Sequence, residues 1–297
     1  MARFGRVLSA MVTPFDDDGA LDLDAAAALA RHLESDGHDG LVIAGTTGEA
    51  PTLADDEHLA LVAAVVEAVS IPVVAGTGGN DTRHSVHMTR EATALGAAGA
   101  LVVCPYYNRP SQAGLDAHFR AVAAATDLPV MLYDIPVRTG RKVATPTLLG
   151  LARDVPNIVA LKDAAGNPGE TAALIAAAPD GFEVYSGDDN LTLPLLAVGA
   201  VGVVGVATHW CATDLQEMFA LWDKGDPDGA RLVNARLVES FAFETGDEAP
   251  NPIPTKAMLR HLGFAVGQAR LPMGAAPEWV DARAAEVHAN LLAARAS

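Results

Sequence analysis

The residue with the clearest chemical potential is a lysine. The chain carries four, Lys142, Lys162, Lys224 and Lys256. Only Lys162 closes an apolar run, Ile158-Val-Ala-Leu-Lys162; the other three fall in segments that read as solvated loops or helices. An ammonium at the end of a buried strand is costly unless its pKa falls. A desolvated lysine is in turn a usable amine nucleophile for a carbonyl carbon. The plainer alternative is a packed stem whose head reaches water or a carboxylate such as Asp163 or Asp188.

Other side chains could share that chemistry. Tyr133 also ends an apolar run and offers a phenol for proton transfer. Read plainly, it is a packed ring with a satisfied hydroxyl. Tyr106-Tyr107 follow another run. Neighbouring residues past a strand face opposite ways, so one of the two can leave its own subunit for a partner. Gly45-Thr46-Thr47-Gly48 presents backbone N–H groups that could cradle a carboxylate, or forms an ordinary turn. Arg138, in a loop after a proline, could fork onto a second carboxylate or simply make a surface salt bridge.

Several chemistries find no support. Gly76-Thr-Gly-Gly-Asn80 lacks the lysine of a phosphate loop. His84 and His87 are three apart on a helix, but no nearby carboxylate completes a metal set, and they read as a solvated helix face. No Gly-x-Ser-x-Gly elbow occurs. Cys104 and Cys211 are two isolated thiols in apolar runs, too few for a disulfide framework or a structural zinc site. The net charge is −17 and the basic residues are scattered singly, which argues against a nucleic-acid partner. The most apolar stretch, Leu191 to Ala207, is broken by Pro194 and three glycines, so no membrane span is expected. With no leader-like apolar region at its start, the chain reads as a soluble cytoplasmic protein.

Positioning these groups requires a scaffold, and the sequence describes one. Eight short runs rich in Val, Ile and Leu recur without polar alternation: 7–12, 40–44, 71–75, 100–104, 129–133, 158–162, 182–186 and 202–206. Strands buried on both faces read this way. Helical segments alternate with them at 24–35, 55–69, 81–95, 112–126, 145–151, 171–177 and 191–198. Thr52-Leu-Ala-Asp55 resembles a capping box, and Asn80 or Asp81 can cap the third helix. The pattern predicts an α/β fold, a (β/α)8 TIM barrel over residues 1–224. A C-terminal helical extension follows over 225–297, with helices at 230–244, 254–262 and 277–294. A doubly wound sheet is the alternative, but its Gly-x-Gly-x-x-Gly is missing after the first strand. In such a barrel, chemistry sits where strands end. Lys162, Tyr133, the Thr46-Thr47 loop, Gly187 and the region of Val204 would therefore converge on one mouth.

In this order, these residues resemble the dihydrodipicolinate synthase family of pyruvate-dependent class I aldolases. The carriers are Val12-Thr-Pro-Phe, Gly45-Thr-Thr-Gly-Glu49, Pro105-Tyr-Tyr-Asn-Arg-Pro110, Tyr133-Asp-Ile-Pro-Val-Arg-Thr-Gly140, Lys162-Asp-Ala, Ser186-Gly-Asp-Asp189, Asn251-Pro-Ile-Pro-Thr-Lys256 and Arg270-Leu-Pro-Met273. The resemblance spans nearly the whole chain. It implies condensation of pyruvate with aspartate-4-semialdehyde in lysine and diaminopimelate synthesis, with Lys162 forming the Schiff base. Tyr133 would donate and accept protons, linked through Thr46 to Tyr107 of the neighbouring subunit. Thr47 would hold the pyruvate carboxylate near the Val204 carbonyl, and Gly187 would line the substrate site. Arg138 would bind the carboxylate of the semialdehyde. No cofactor or metal would be needed, since the protonated imine is itself the electron sink. The implied assembly is a homotetramer of tight dimers.

Some positions depart from the family pattern. Cys104, Val137 and Asp134 stand where many members have threonine, serine and asparagine. Asp55 and His84 stand where lysine-regulated members have a histidine and a glutamate, while Tyr106 and Asn80 remain. Weak or absent inhibition by lysine is expected. The nearest competing activity is another pyruvate-imine lyase, acting on N-acetylneuraminate or a keto-deoxy sugar acid; such enzymes generally lack the Arg138 motif. A catalytically silent small-molecule sensor on the same scaffold is the other alternative. Its signature would be loss of the lysine or the tyrosines, and all are present.

Overall fold

A computed structural model of the chain describes residues 2–296. Eight parallel strands close in sequence order into one barrel: β1 (Val7–Ala10), β2 (Gly40–Ile43), β3 (Val73–Gly76), β4 (Gly99–Val103), β5 (Val130–Asp134), β6 (Ile158–Asp163), β7 (Glu183–Ser186) and β8 (Gly202–Gly205). The first and last strands pair directly, Leu8 opposite Val204, so no edge is left open. The strands lack polar alternation because each is covered on both sides. Leu8, Val42, Val74, Leu101, Met131, Ala160, Tyr185 and Val204 fill the interior. Leu41, Ile43, Val73, Val102, Leu132 and Leu161 pack outward under the helices.

The strand period of two aims the chemistry. Tyr133 follows the inward-facing Met131 by two residues, and Lys162 follows the inward-facing Ala160 by two. Both therefore point into the barrel.

The surrounding helices are α1 (Leu23–Ser35), α2 (Asp55–Ala68), α3 (Thr82–Ala94), α4 (Gln112–Ala123), the single turn α5 (Pro136–Thr139), α6 (Thr145–Asp154), α7 (Pro168–Ala177), α8 (Thr192–Ala197) and α9 (Thr208–Asp223). Next come α10 (Pro227–Phe243), α11 (Ile253–His261) and α12 (Glu278–Arg295), which share one apolar cluster with α9 and with Val7 and Val203 of the barrel wall. Asp81 caps α3 as expected, its carboxylate accepting from the N–H groups of Arg83 and His84.

Three expectations need correction. Thr52 does not cap α2: its hydroxyl donates to the Glu49 carbonyl, the helix starts after Ala54, and Glu57 accepts the Ala54 N–H. Helix α9 is absent from the sequence reading; it has no capping side chain at Ala207, and its residues Thr208 to Ala212 are all buried, so it shows no amphipathic start. Lys256 is not solvated. It is 1% exposed and its Nζ lies 2.7 Å from Glu49 Oε1.

No helix among the described residues is long and apolar enough to cross a membrane.

Candidate active site

Strands β5 and β6 run in register with Tyr133 opposite Lys162. The Lys162 Nζ lies 4.4 Å from the centre of the Tyr133 ring, and both residues are only 4% exposed. Burial is the main force on the amine and brings its pKa down to about 8; the carboxyl groups of Asp188, Asp189 and Glu244 oppose it. A far larger share of the amine is then free at neutral pH than for an ordinary lysine. Burial also pushes the Tyr133 phenol above its usual range, with Asp188 adding to the effect. Arg138 and the neighbouring Thr46 hydroxyl work the other way. The phenol thus stays protonated at neutral pH and can donate before it accepts.

The carboxylate alternatives for the lysine head divide. Asp163 points away: Oδ2 accepts from Thr171 Oγ1 at 2.5 Å and Oδ1 from the Ala165 N–H at 2.9 Å. Asp188 remains close enough to act on the amine electrostatically, as do Asp189 and Glu244. The role of Glu244, 5% exposed at the end of α10, has no sequence signal because its approach to the barrel comes only through tertiary folding.

The Thr46-Thr47 loop leaves β2 through a sharp bend, with Ala44 at φ 54° and Glu49 at φ 57°. Gly76 permits the bend, since a Cβ there would sit 2.3 Å from the Ala44 carbonyl oxygen. Thr47 is buried, and its Oγ1 accepts from Asn251 Nδ2 at 2.8 Å. A cavity of about 270 Å³ opens beside Tyr133, lined among others by Thr46, Tyr106, Arg138, His58 and His84.

Arg138 sits on α5, which Pro136 begins. Its Nη2 donates to the Asn251 carbonyl at 3.4 Å, and among the described residues it pairs with no carboxylate. The surface salt bridge that the sequence allowed is therefore not formed among the described residues. Val204 faces the barrel interior. Gly187 donates its N–H to the Asp163 carbonyl at 2.7 Å, packed so closely that a Cβ would lie 2.9 Å from that of Ala164.

Tyr107 is not brought to Thr46 within the chain. It is 90% exposed, with φ 70°, at the tip of a turn tied down by Asn108 Nδ2 donating to the Asn80 carbonyl at 2.9 Å. Its neighbour Tyr106 faces the cavity instead. At the positions that depart from the family pattern, Asp134 is balanced by Lys142 Nζ at 2.8 Å. Burial pushes the Cys104 thiol up to about 12, so it stays a thiol. His84 does meet a carboxylate through space, Asp55 at 2.9 Å, yet the described residues contain no group of three or more potential metal ligands.

An inward-facing lysine beside a buried tyrosine on adjacent strands of a closed parallel barrel is equipped for carbonyl chemistry of the aldolase type. The comparisons agree. The dihydrodipicolinate synthetase family model matches residues 3–290, and the chain belongs to that family. A 4-hydroxy-tetrahydrodipicolinate synthase from Synechococcus sp. (strain CC9902) is 51% identical over 93% of this chain and 91% of its own length. The one from Bacillus subtilis (strain 168) is 45% identical over 91% and 93%. The crystal structure of DHDPS from Cyanidioschyzon merolae with lysine bound matches with a TM-score of 0.95 at 42% identity, covering 98% of this chain and 99% of the other.

Proposed function

We propose that the protein condenses pyruvate with L-aspartate-4-semialdehyde, as a 4-hydroxy-tetrahydrodipicolinate synthase. The observation that carries this reading is the desolvated Lys162 amine set over the Tyr133 ring at a strand-end mouth.

The free amine attacks C2 of pyruvate. Loss of water gives an imine whose protonated nitrogen draws electrons from the adjacent methyl group. A methyl proton leaves, and the resulting enamine carbon attacks the aldehyde. Cyclisation then releases Lys162. Tyr133 carries the protons, relayed through Thr46 to Tyr107 of the neighbouring subunit; the outward turn that holds Tyr107 supports this crossing. Thr47 takes the pyruvate carboxylate, with Val204 and Gly187 lining the same site. Arg138, free of any carboxylate partner among the described residues, takes the carboxylate of the semialdehyde. The imine serves as the electron sink, so the reaction uses no cofactor or metal.

In this reading the catalytic unit is the barrel of residues 1–224, with 225–297 as a helical extension. The working assembly is a homotetramer of tight dimers in the cytoplasm. A sugar-acid lyase would use the same lysine and tyrosine, but has no evident use for Arg138 as placed here. Turnover with aspartate semialdehyde, measured against N-acetylneuraminate and keto-deoxy sugar acids, tests the assignment. The semialdehyde should be strongly preferred, and preference for a sugar acid would overturn it.

A further inference from the structure

We propose that Asn251, which precedes α11 in the C-terminal segment, is a positioning residue. It orients the Thr47 hydroxyl as a hydrogen-bond donor and ties it to Arg138, thereby setting the affinity for the 2-oxo acid.

The proposal rests on the functional reading above and on the geometry around one side chain. Asn251 is 8% exposed. Its Nδ2 donates to Thr47 Oγ1 at 2.8 Å, and its Oδ1 accepts from Thr255 Oγ1 at 3.1 Å. Its backbone carbonyl accepts from Arg138 Nη2 at 3.4 Å. A hydroxyl has one proton to give and two lone pairs to fill. With Asn251 donating into a lone pair, the Thr47 proton remains to be given elsewhere, and no described residue accepts it. A carboxylate can only accept, so a hydroxyl locked as donor is the complement it needs. Thr255, wholly buried one helical turn on, holds the carboxamide in the sense that makes this possible.

The same residue reaches the second recognition group. Through its carbonyl, Asn251 fixes the spacing between Thr47 and Arg138, the two groups assigned to the two substrate carboxylates. A second tie keeps this segment on the loop. The Lys256 ammonium, on the first turns of α11, lies 2.7 Å from Glu49 and donates to the Gln268 carbonyl at 3.0 Å. Glu49 is the left-handed residue that ends the Thr46-Thr47 turn. The loop that would bind pyruvate is thus held by residues more than 200 positions later in the chain.

The test uses the purified full-length protein and borohydride capture of pyruvate, reading the pyruvate concentration that half-saturates the adduct on Lys162. Asn251→Ala removes the bond. Asn251→Asp replaces the donor with a carboxylate that takes the Thr47 proton. Losing the neutral hydrogen bond that orients the hydroxyl predicts a rise of roughly two- to tenfold for Asn251→Ala, and a larger rise for Asn251→Asp. KM for pyruvate should rise alongside, with kcat changing much less. In a Thr47→Val background, Asn251→Ala should add nothing further. If either variant fails to fold, Thr255→Val frees the carboxamide without removing it and should raise the same concentration in milder form.

Unchanged half-saturation in the folded variants, a loss confined to kcat, or undiminished effects in the Thr47→Val background would overturn the proposal while leaving the wild-type adduct in place. Absence of any wild-type adduct on Lys162 would overturn the functional reading, and the proposal with it.

Discussion

Raising the pH should speed the reaction of Lys162 with pyruvate up to about pH 8 and then stop helping. The amine is brought down from 10.5 to about 8, mainly by burial. Only the unprotonated amine attacks, so below this midpoint the rate should fall about tenfold per pH unit. An unperturbed lysine would keep gaining until beyond pH 10. Burial pushes Tyr133 above the usual tyrosine range, so the phenol does not titrate in this window. The charges around the amine offer a second lever. Asp188 is the foremost of those holding the proton on Lys162. Its neutralisation in Asp188→Asn should move the midpoint downward and leave more free amine at pH 7. The assay is the initial rate of borohydride-trapped adduct formation at low pyruvate, from pH 6 to pH 10 in roughly half-unit steps. A wild-type rate still climbing tenfold per unit above pH 9 would refute the burial argument. An unmoved or raised midpoint in Asp188→Asn would refute the assignment of the opposing charge.

Three further outcomes follow from other parts of the structure. Tyr133→Phe keeps the ring against Lys162 but removes the proton carrier; steady-state turnover should fall by roughly 10²–10⁴ while the pyruvate adduct still forms. Lys256→Met leaves the Glu49 charge buried without its partner, which should cost about 3–5 kcal/mol in a denaturant titration. The Glu49→Gln, Lys256→Met double variant should recover much of that loss. Lysine should inhibit weakly, because Asp55, the carboxylate at the position where regulated members have a histidine, already engages His84 at 2.9 Å. Strong inhibition at sub-millimolar lysine in an activity titration would contradict this.

The barrel was legible because its strands are eight short apolar runs covered on both faces, and the competing doubly wound sheet lacks its glycine fingerprint here. Lys162 and Tyr133 were legible for a related reason: each is a polar group closing such a run, and alternation then fixes its direction. Helix α9 was not legible, since its buried residues surround it at the start and Ala207 offers no cap. Lys256 misled because a lysine on a helix is usually solvated, whereas α11 is buried from Ile253 to Leu259. Glu244 was silent, and Asn251 stood out only as part of the motif from Asn251 to Lys256, for a different reason. Their roles lie in contacts with Thr47 and with the lysine pocket, far away in sequence, and local pattern carries no trace of such pairings. Tyr107 shows the limit from the other side: its doublet suggested a residue leaving its own subunit, and among the described residues it stands exposed and away from Thr46.

The most direct test is reduction of the protein with borohydride in the presence of pyruvate, followed by peptide mass spectrometry. The account predicts one carboxyethyl group on the peptide bearing Lys162, and none in Lys162→Ala. Lys256, also brought to about 8 by burial but engaged with Glu49, serves as an internal comparison and should stay unmodified. An unmodified chain, or an adduct on Lys256 or any other amine instead of Lys162, would contradict it.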